Sequence, residues 1–217
     1  MVNPMESPLH PAELRVLGAL IEKEATTPEY YPLSLNALVN ACNQKSNRWP
    51  VVEYEDGEVL EAIRGLQEHG FAGAITGGSR VAKYRQRFTE KLNLGRRETA
   101  ILCVLMLRGQ QTVGEIKGRT ERLYEFSDLE ETELVLQKLM EREEGPMVTK
   151  LAAAHGMKEP RWAQLLGGPV EAGPEGTAAV AQAGGSRVGA LEEEVAQLRK
   201  EVEDLRARLE EVFVLLR

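Results

Sequence analysis

The chain has 217 residues, of which 42% are hydrophobic and 28% are charged, a balance typical of globular proteins. Aromatic residues make up only 5%, so the core must consist mainly of aliphatic side chains, which favours helices over a large β-sandwich. The net charge of −7 argues against indiscriminate binding to nucleic acids. No secretory leader opens the chain, and no apolar run approaches the ~20 residues of a membrane-spanning helix, so we expect a soluble cytoplasmic protein.

The first half of the chain predicts three helices followed by a hairpin. The first helix is expected from about Pro11, which favours a first helical turn, and the second after Ser34, which is a good N-cap. The third is expected from about Asp56 and ends at Gly70. FAGAIT, a GGSR turn and VAKYRQ then predict two paired strands, because the turn glycines allow positive φ.

The second half repeats this succession. A helix is expected from about Leu94, and capping-box patterns at Thr112 and Ser127 each predict a further helix. Met147–Leu151 and Arg161–Leu165 predict a second hairpin. Three helices and a hairpin, twice over, are typical of tandem winged helix-turn-helix domains. The predicted fold is therefore mainly α with small β-hairpins (α+β), formed by two such domains and a C-terminal parallel coiled coil.

The patterns divide the chain into four predicted segments. The first and second winged-helix domains are expected at 1–90 and 91–166. Residues 167–187 are rich in Gly, Ala and Pro and have almost no bulky apolar side chain, which predicts a flexible linker. Residues 188–217 predict the coiled-coil helix.

The last segment has a heptad repeat, with mostly Val at position a and mostly Leu at position d. This combination favours a parallel two-stranded coiled coil, and the e and g charges pair attractively in that arrangement. A single helix docked on the body is the alternative, although it needs a wider apolar stripe. Phe213 and Leu215 add apolar surface to the last turn, so a tetramer, or docking of that end elsewhere, stays open. The predicted dimerisation residues are Val188, Leu191, Val195, Leu198, Val202, Leu205, Leu209, Val212 and Leu216.

Several segments resemble the YceH-like family of bacterial proteins. They are LHPAELRVLGALIEKEATTPEYYPLSLNALVNACNQKSNRWPVV, SRVAKYR, ETAILCVLMLRGQQTVGEI and EPRWAQLLGG. The resemblance covers roughly residues 9–168, and ACNQKSNR is its most specific part. It implies two tandem winged-helix domains, in agreement with the helical pattern, and it implies no particular activity.

Basic residues are concentrated in three places that a winged-helix protein could use to bind DNA. The first wing and the segment after it carry seven positive charges (Arg80 to Arg97), and wings commonly lie along phosphates. The loop between the second and third helices carries side chains that could reach phosphates or base edges. A smaller cluster lies in the second domain. The candidate DNA-binding residues are Lys45, Asn47, Arg48, Arg80, Lys83, Arg85, Arg87, Lys117, Arg119 and Arg122.

The third helix of each predicted domain carries the opposite charge. A helix-turn-helix normally reads the major groove with this helix, and carboxylates at its start stabilise the helix dipole but repel phosphates. These helices are therefore solvated and well capped, dock a protein partner, or read a groove, and the sequence leaves the three open. The acidic residues are Glu53, Glu55, Asp56, Glu58 and Glu61 in the first copy and Asp128, Glu130, Glu131 and Glu133 in the second.

No motif for catalysis is present, including phosphate loops, nucleophile elbows and metalloprotease signatures. His10, His69 and His155 fall in different elements, so we expect no metal site, no cofactor and no enzymatic activity. Cys42 and Cys103 lie in apolar helical patterns and are expected to be buried and inert.

Two functions follow as hypotheses. The first is a dimeric DNA-binding protein, a transcriptional or nucleoid-associated regulator, whose partner is double-stranded DNA and whose wings and loops make most of the contacts. The second is a protein–protein interaction scaffold in which the acidic third helices dock a basic partner. Trp162 is expected in the core, and Trp49 is expected under the third helix, with exposed base stacking as the alternative.

Overall fold

The computed structural model describes residues 7–75, 81–152 and 159–170. These residues all belong to one compact unit, Met1–Ala172. A second unit, Gly173–Arg217, lies outside the described residues, and with it almost all of the predicted linker and the whole predicted coiled coil. Those two segments, and the division into domains at residue 90, stay predictions.

The first half confirms the predicted helices and hairpin. Its elements are α1 (Pro11–Thr26), a 3₁₀ turn (Pro28–Tyr30), β1 (Leu33–Ser34), α2 (Leu35–Cys42), α3 (Asp56–Glu68), β2 (Ala72–Ile75) and β3 (Lys83–Gln86). The strands form an antiparallel sheet in the order β1-β3-β2. Ser34 caps α2 as expected, since its hydroxyl accepts a hydrogen bond from the Ala37 N–H. Gly70 follows α3 with φ of +71°, the left-handed conformation that favours glycine.

The second half has the same succession of elements after a short connecting helix. Its elements are α4 (Phe88–Lys91), α5 (Arg96–Arg108), α6 (Val113–Thr120), α7 (Leu129–Met140), β4 (Val148–Leu151) and β5 (Arg161–Gln164). Gln111 forms an isolated bridge with Trp162, so a bridging residue precedes α6 just as β1 precedes α2. The described residues therefore form an α+β structure of seven α-helices and two small antiparallel sheets.

The capping residues of the second half agree with the sequence at one helix and differ at another. Thr112 caps α6, and its predicted box with Glu115 is present. The expectation that Ser127 caps the last helix is wrong by one residue. Asp128 is the N-cap, because its Oδ1 accepts from the Glu131 N–H at 2.7 Å, while Glu131 accepts from the Ser127 N–H at 2.9 Å.

Helix α5 lies at the centre of the unit. Every residue from Ala100 to Leu107 is buried, because α5 packs against α1 and also against α6, α7 and β5. A helix that is apolar on all sides can be stable only when it is surrounded in this way. Trp162 on β5 is fully buried, which confirms its predicted place in the core. No helix in the described part of the chain is long and apolar enough to cross a bilayer.

Helices α1 and α5 join the two halves through a very close contact at Gly18. A Cβ atom at this position would lie 2.8 Å from Leu107 Cδ2 and 2.9 Å from Leu107 Cγ. The Cys103 thiol also donates a hydrogen bond to the Gly18 carbonyl oxygen at 3.4 Å. The two helix backbones can approach this closely only because residue 18 has no side chain.

We therefore expect Gly18→Ala to destabilise the protein. The added methyl group must displace a fully packed leucine, and overpacking of this kind costs about 1–3 kcal/mol. Gly118→Ala is the matched control, since Gly118 lies within α6 and a Cβ there would meet nothing within 4 Å. The control should stabilise by about 0.5–1 kcal/mol through helix propensity alone. Urea denaturation measures both free energies of unfolding, and equal values for the two variants would show that the α1–α5 contact is not tight.

Candidate nucleic-acid interface

The segment ACNQKSNR, the most specific part of the family resemblance, leads from α2 into the loop between α2 and α3. Its side chains mostly form hydrogen bonds that stabilise this loop. Asn43 forms two hydrogen bonds with the Tyr54 backbone, donating to the carbonyl oxygen at 2.8 Å and accepting from the N–H at 2.9 Å. These bonds join the two ends of the loop. Arg15, from α1, donates to the carbonyl oxygens of Cys42 and Pro50 at 3.0 and 2.5 Å and so holds the loop against the helix.

Arg48 was predicted to contact DNA, and the structure shows that it cannot do so in this conformation. Its side chain is fully buried and forms a two-point ion pair with Glu22 of α1, at 3.1 and 2.5 Å. It also donates to the Ala41 carbonyl oxygen and to the Gln44 side chain. A guanidinium group is stable inside a protein only with such partners, so Arg48 is a structural residue of the loop.

The remaining residues of this loop have different environments. Asn47 has a left-handed backbone with φ of 62°, and its Oδ1 accepts a hydrogen bond from Arg108. Its amide NH₂ can donate to a ligand. Lys45 is exposed at the tip of the loop. Trp49 was expected to pack under the third helix, but it is 43% exposed, and a Cβ at Gly109 would lie 3.4 Å from its ring. That exposure is compatible with the stacking alternative.

The hairpin places three of the predicted cationic residues in one row. Gln86 is buried and faces inward, and residues in a strand alternate between its two faces. Lys83 and Arg85 on β3 and Arg87 just after it therefore point outward together, spaced by roughly 6.8 Å. A Cβ at Gly73 would lie 3.0 Å from Arg87 Nε, so the Arg87 side chain covers the neighbouring strand. Arg80 falls in the segment between the two strands, outside the described residues.

The charges of this row differ in how far they are neutralised. Arg85 pairs with Glu90 at 3.3 Å, and both side chains are substantially exposed, so the pair is weak. Lys83 and Arg87 are exposed, and no ion pair to either is found within the described ranges. Further along the chain, Lys91 donates to the His69 carbonyl oxygen, and Arg97 pairs with Glu131 at 3.2 Å. Arg96 is exposed at the start of α5.

The second predicted cluster lies on α6 and the turn that follows it. Arg119 pairs with Glu115 at 3.3 Å, and Lys117 is half-buried. Arg122 is exposed. Glu115 is shared, because Arg161 from β5 approaches the same carboxylate at 3.1 Å. Arg119 and Arg122 line a cleft together with the end of α5 and the loop of the first half.

Several of the carboxylates at the third helices are used as caps. Glu58 accepts from the Glu55 N–H at 2.9 Å at the start of α3, and Asp128 and Glu131 cap α7. Glu133 pairs with Lys150 at 2.9 Å. Glu58, Asp128 and Glu131 therefore act as caps, while docking of a partner and groove reading by the third helices stay predictions. Glu61 on α3 and Glu130 on α7 are exposed, and neither forms a capping hydrogen bond within the described residues.

The two cysteines are buried and unpaired with each other. Burial raises the pKa of the Cys42 thiol to about 12 and raises that of Cys103 as well, so both are neutral thiols at ordinary pH. His10 lies at the start of α1 and His69 at the end of α3, as expected, and His155 lies outside the described residues. Within the described ranges, no three potential metal-ligating side chains come together.

Arg108 was not singled out from the sequence, although the structure gives it a distinctive place. It is the last residue of α5, where a basic side chain commonly stabilises a helix end, so its position in the sequence looks ordinary. The fold brings it to the Asn47 side chain of the first half. Burial, and then the nearby charge of Arg119, lower the pKa of Arg108. No local pattern could have indicated this contact, because the partners are 61 residues apart.

Comparison with known proteins identifies the family. Residues 9–157 match the family model described as "Protein of unknown function, DUF480". The UPF0502 protein of Solibacter usitatus is 56% identical over 209 residues, covering 95% of this chain and all of the relative. The chain belongs to this family. The UPF0502 proteins of Pelobacter propionicus and Vibrio atlanticus are 51% and 44% identical, covering 93% and 96% of this chain and 95% and 100% of the relatives.

Membership of the DUF480 family confirms the resemblance to a bacterial family without an assigned activity. The match spans both halves of the described structure, from the start of α1 to the segment after β4. The ACNQKSNR segment lies within it, and the hydrogen bonds described above explain that segment as the internal support of one loop.

Replacement of Arg48 should therefore damage stability. In Arg48→Met the Glu22 carboxylate and the Ala41 carbonyl oxygen lose their partner, and breaking a buried pair costs about 3–5 kcal/mol. The lower end, about 3 kcal/mol, applies here because Glu22 remains 17% exposed. Lys45→Met, in the same loop but exposed, should change the free energy of unfolding by less than about 0.5 kcal/mol. Urea denaturation measures the free energy of unfolding of both variants. An Arg48→Met protein as stable as wild type would contradict the structural role of Arg48.

Proposed function

We propose that this protein is a dimeric DNA-binding protein of tandem winged-helix type, acting as a transcriptional or nucleoid-associated regulator. The observation that supports it best is the outward row of Lys83, Arg85 and Arg87 on the hairpin. Phosphate contacts supply much of the affinity of DNA-binding proteins, and a strand presents such cations at regular spacing.

The order of elements supports the same proposal. A helix, a short strand, two helices and a hairpin, with the strand order β1-β3-β2, is the arrangement that a winged helix requires. The second half has the same order, with the Gln111 bridge in place of the first strand. In this proposal the two halves are the domains at 1–90 and 91–166, and β2 and β3 form the first wing.

The proposed interface is smaller than the set of basic residues in the sequence. Lys83, Arg85 and Arg87 form its centre, Arg80 adjoins them in sequence, and Lys45 extends it from the loop. Arg48 is excluded by burial. Because a handful of cations on a net-acidic protein supplies modest affinity, the proposal also needs two copies of the interface.

A coiled coil at 188–217 would provide the second copy. Joining two sites through a linker makes the second binding event intramolecular and raises the overall affinity. The 21 residues of the proposed linker would span about 25 Å root-mean-square if flexible, using ~5–6 Å × √n. Two interfaces could then contact one duplex.

The wing assignment predicts the effect of removing its charges. The double variant Lys83→Gln/Arg87→Gln should bind duplex DNA more weakly, because each lost phosphate contact contributes roughly 0.9 to the slope of log affinity against log salt. That slope should fall by about 1.8 for each interface, and so by about 3.6 when both interfaces of the dimer contact one duplex. Fluorescence anisotropy of labelled mixed-sequence duplexes across a salt series gives both quantities.

The matched control is Arg64→Gln/Lys138→Gln, which removes the same charge from exposed positions on α3 and α7. It should leave the salt slope unchanged. Equal losses in the two double variants would mean that the wing contributes no more than net charge or the third helices do, and would contradict the wing as the main contact. No binding by the wild type at low salt would contradict DNA binding altogether.

The dimer is tested at two d positions of the heptad pattern. Leu198→Glu/Leu205→Glu places charges in the proposed seam and should convert the protein from two chains to one, because a and d residues supply the association energy. Ala196→Glu/Ala207→Glu adds the same charge at outward positions and should stay dimeric. Light scattering after size-exclusion chromatography reports the mass, and a monomeric wild type would contradict the coil. A mass of four chains would favour the tetramer.

One observation favours the second candidate function, a protein–protein interaction scaffold. On α7, Leu129 and Leu134 are 54% and 56% exposed, and Glu130 lies beside them. Apolar side chains flanked by carboxylates suit a basic, partly apolar protein surface better than a DNA groove. If the wild type binds no duplex at low salt while remaining folded, this docking function becomes the better proposal.

A further inference from the structure

A small polar cleft lies where the two halves meet, at the ends of α1 and α5. It has a volume of about 190 Å³ and is bounded by α1, the loop after α2, α5 and α6. Its charged and amide-bearing residues are Glu22, Lys23, Gln44, Asn47, Arg108, Arg119 and Arg122. Four of these are cations and one is an acid, which is an unusual excess for a cleft on a protein of net charge −7.

The acids near the cleft are already neutralised by other residues. Glu22 is held at two points by the buried Arg48, which lies behind the cleft wall. Glu115 is shared between Arg119 and Arg161. Arg119 is thus partly compensated by Glu115, and Lys23 lies 4.0 Å from Glu22, whereas Arg108 and Arg122 form no ion pair within the described residues.

Arg108 is the cation with the weakest compensation. In the described part of the chain its hydrogen-bond partner is the neutral Oδ1 of Asn47, and no carboxylate lies within ion-pair distance. Burial and the neighbouring Arg119 and Arg48 charges disfavour its charged form, with partial relief from Glu22. An anion in the cleft would remove this repulsion.

The two amide side chains of the cleft present donors rather than acceptors. Gln44 Oε1 accepts from Arg48, and Asn47 Oδ1 accepts from Arg108. Each amide oxygen already accepts from an arginine, and each NH₂ group can donate to a ligand. The cleft thus combines guanidinium and amide donors, which together suit an oxyanion.

We propose that this cleft binds a small phosphate-bearing ligand, with the phosphate held by Arg108, Arg119 and Arg122. Arginine is the residue best matched to phosphate oxygens, because its planar donors can bind two of them at once. Pockets for drug-sized ligands usually measure about 300–1,000 Å³, so this smaller cleft accommodates a phosphate group rather than a whole cofactor. The site goes beyond the DNA-binding proposal and does not depend on it.

The site lies between the two halves, so a bound ligand would contact both of them. Arg108 and Arg119 belong to the second half, whereas Asn47 and Gln44 belong to the loop that carries Lys45 in the first half. A phosphate bound between them contacts both halves and adds to the Arg108–Asn47 link. Occupancy should therefore stabilise the folded protein as well as bind, as any ligand of the native state does.

The test uses the full-length chain with inorganic phosphate and pyrophosphate as probes, at constant ionic strength set with sodium chloride. Isothermal titration calorimetry should show saturable binding of at least one probe, with a dissociation constant of about 1 mM or below. Arg122→Gln, an exposed position, should weaken that binding at least about tenfold, since a charge-assisted hydrogen bond is lost. Arg108→Gln should do the same, and Arg64→Gln, an exposed arginine on α3, is the matched control and should bind like wild type.

Absence of saturable binding by the wild type, or equal binding by Arg122→Gln and Arg64→Gln, would overturn the proposal. Competition with duplex DNA distinguishes a site for a small phosphate ligand from a site for a DNA phosphate. If duplex displaces the bound probe, and Arg122→Gln lowers DNA affinity as much as the wing variant does, the cleft belongs to a DNA surface and the small-ligand site is wrong. If the probe binds undisturbed by duplex, the small-ligand site is supported whether or not the protein binds DNA.

Discussion

The close packing of α1 against α5 determines where almost everything else in the structure lies. At Gly18 the two helices approach to a distance that leaves no room for a Cβ beside Leu107. This contact buries α5 on a side that a lone three-helix unit would expose, which explains why the residues from Ala100 to Leu107 are all buried. It also brings the last two turns of α1 beside α5. The loop after α2 and the C-terminal end of α6 therefore meet across one narrow cleft.

Two buried arginines show how the first half uses charge inside its core. Arg48 is compensated by Glu22, whereas within the described residues Arg15 donates only to backbone carbonyl oxygens, and burial lowers the pKa of Arg15. Both hold the loop between α2 and α3, whose large apolar side chains Trp49 and Val51 are exposed rather than packed. Hydrogen bonds from α1 thus give this loop a defined shape that hydrophobic contacts alone would not supply.

The positive charges divide into two sets with different surroundings. On the hairpin, Lys83 and Arg87 project into solvent from a regular strand, where a long, flexible and charged polymer could reach them. In the cleft, Arg108 and Arg119 converge from two helices on a space of about 190 Å³, which only a small anionic group could enter. The first arrangement suits the proposed DNA contact, and the second suits a compact phosphate. Their separation means that the two proposals can succeed or fail independently.

The sequence by itself determined the local structure and left the long-range contacts undecided. Hydrophobic spacing, the caps at Ser34 and Thr112 and the hairpin turns predicted the helices and strands well, because each depends on residues a few positions apart. The cap of α7 was misplaced by one residue, since Ser127 and Asp128 are both good caps and only the backbone path chooses between them. The outward row on β3 could also be predicted, because alternation along a strand is a local rule.

Only the tertiary structure decided which basic residues are exposed and therefore available to contact a ligand. Arg48 and Lys45 are three positions apart in a polar segment, yet one is buried against Glu22 and the other is exposed. Nothing nearby in the sequence distinguishes them, because the partner of Arg48 lies 26 residues away on another helix. Arg108 looked like an ordinary helix end and became part of a cleft for the same reason. Charge can be counted from a sequence, but its burial and its partners are properties of how distant segments pack.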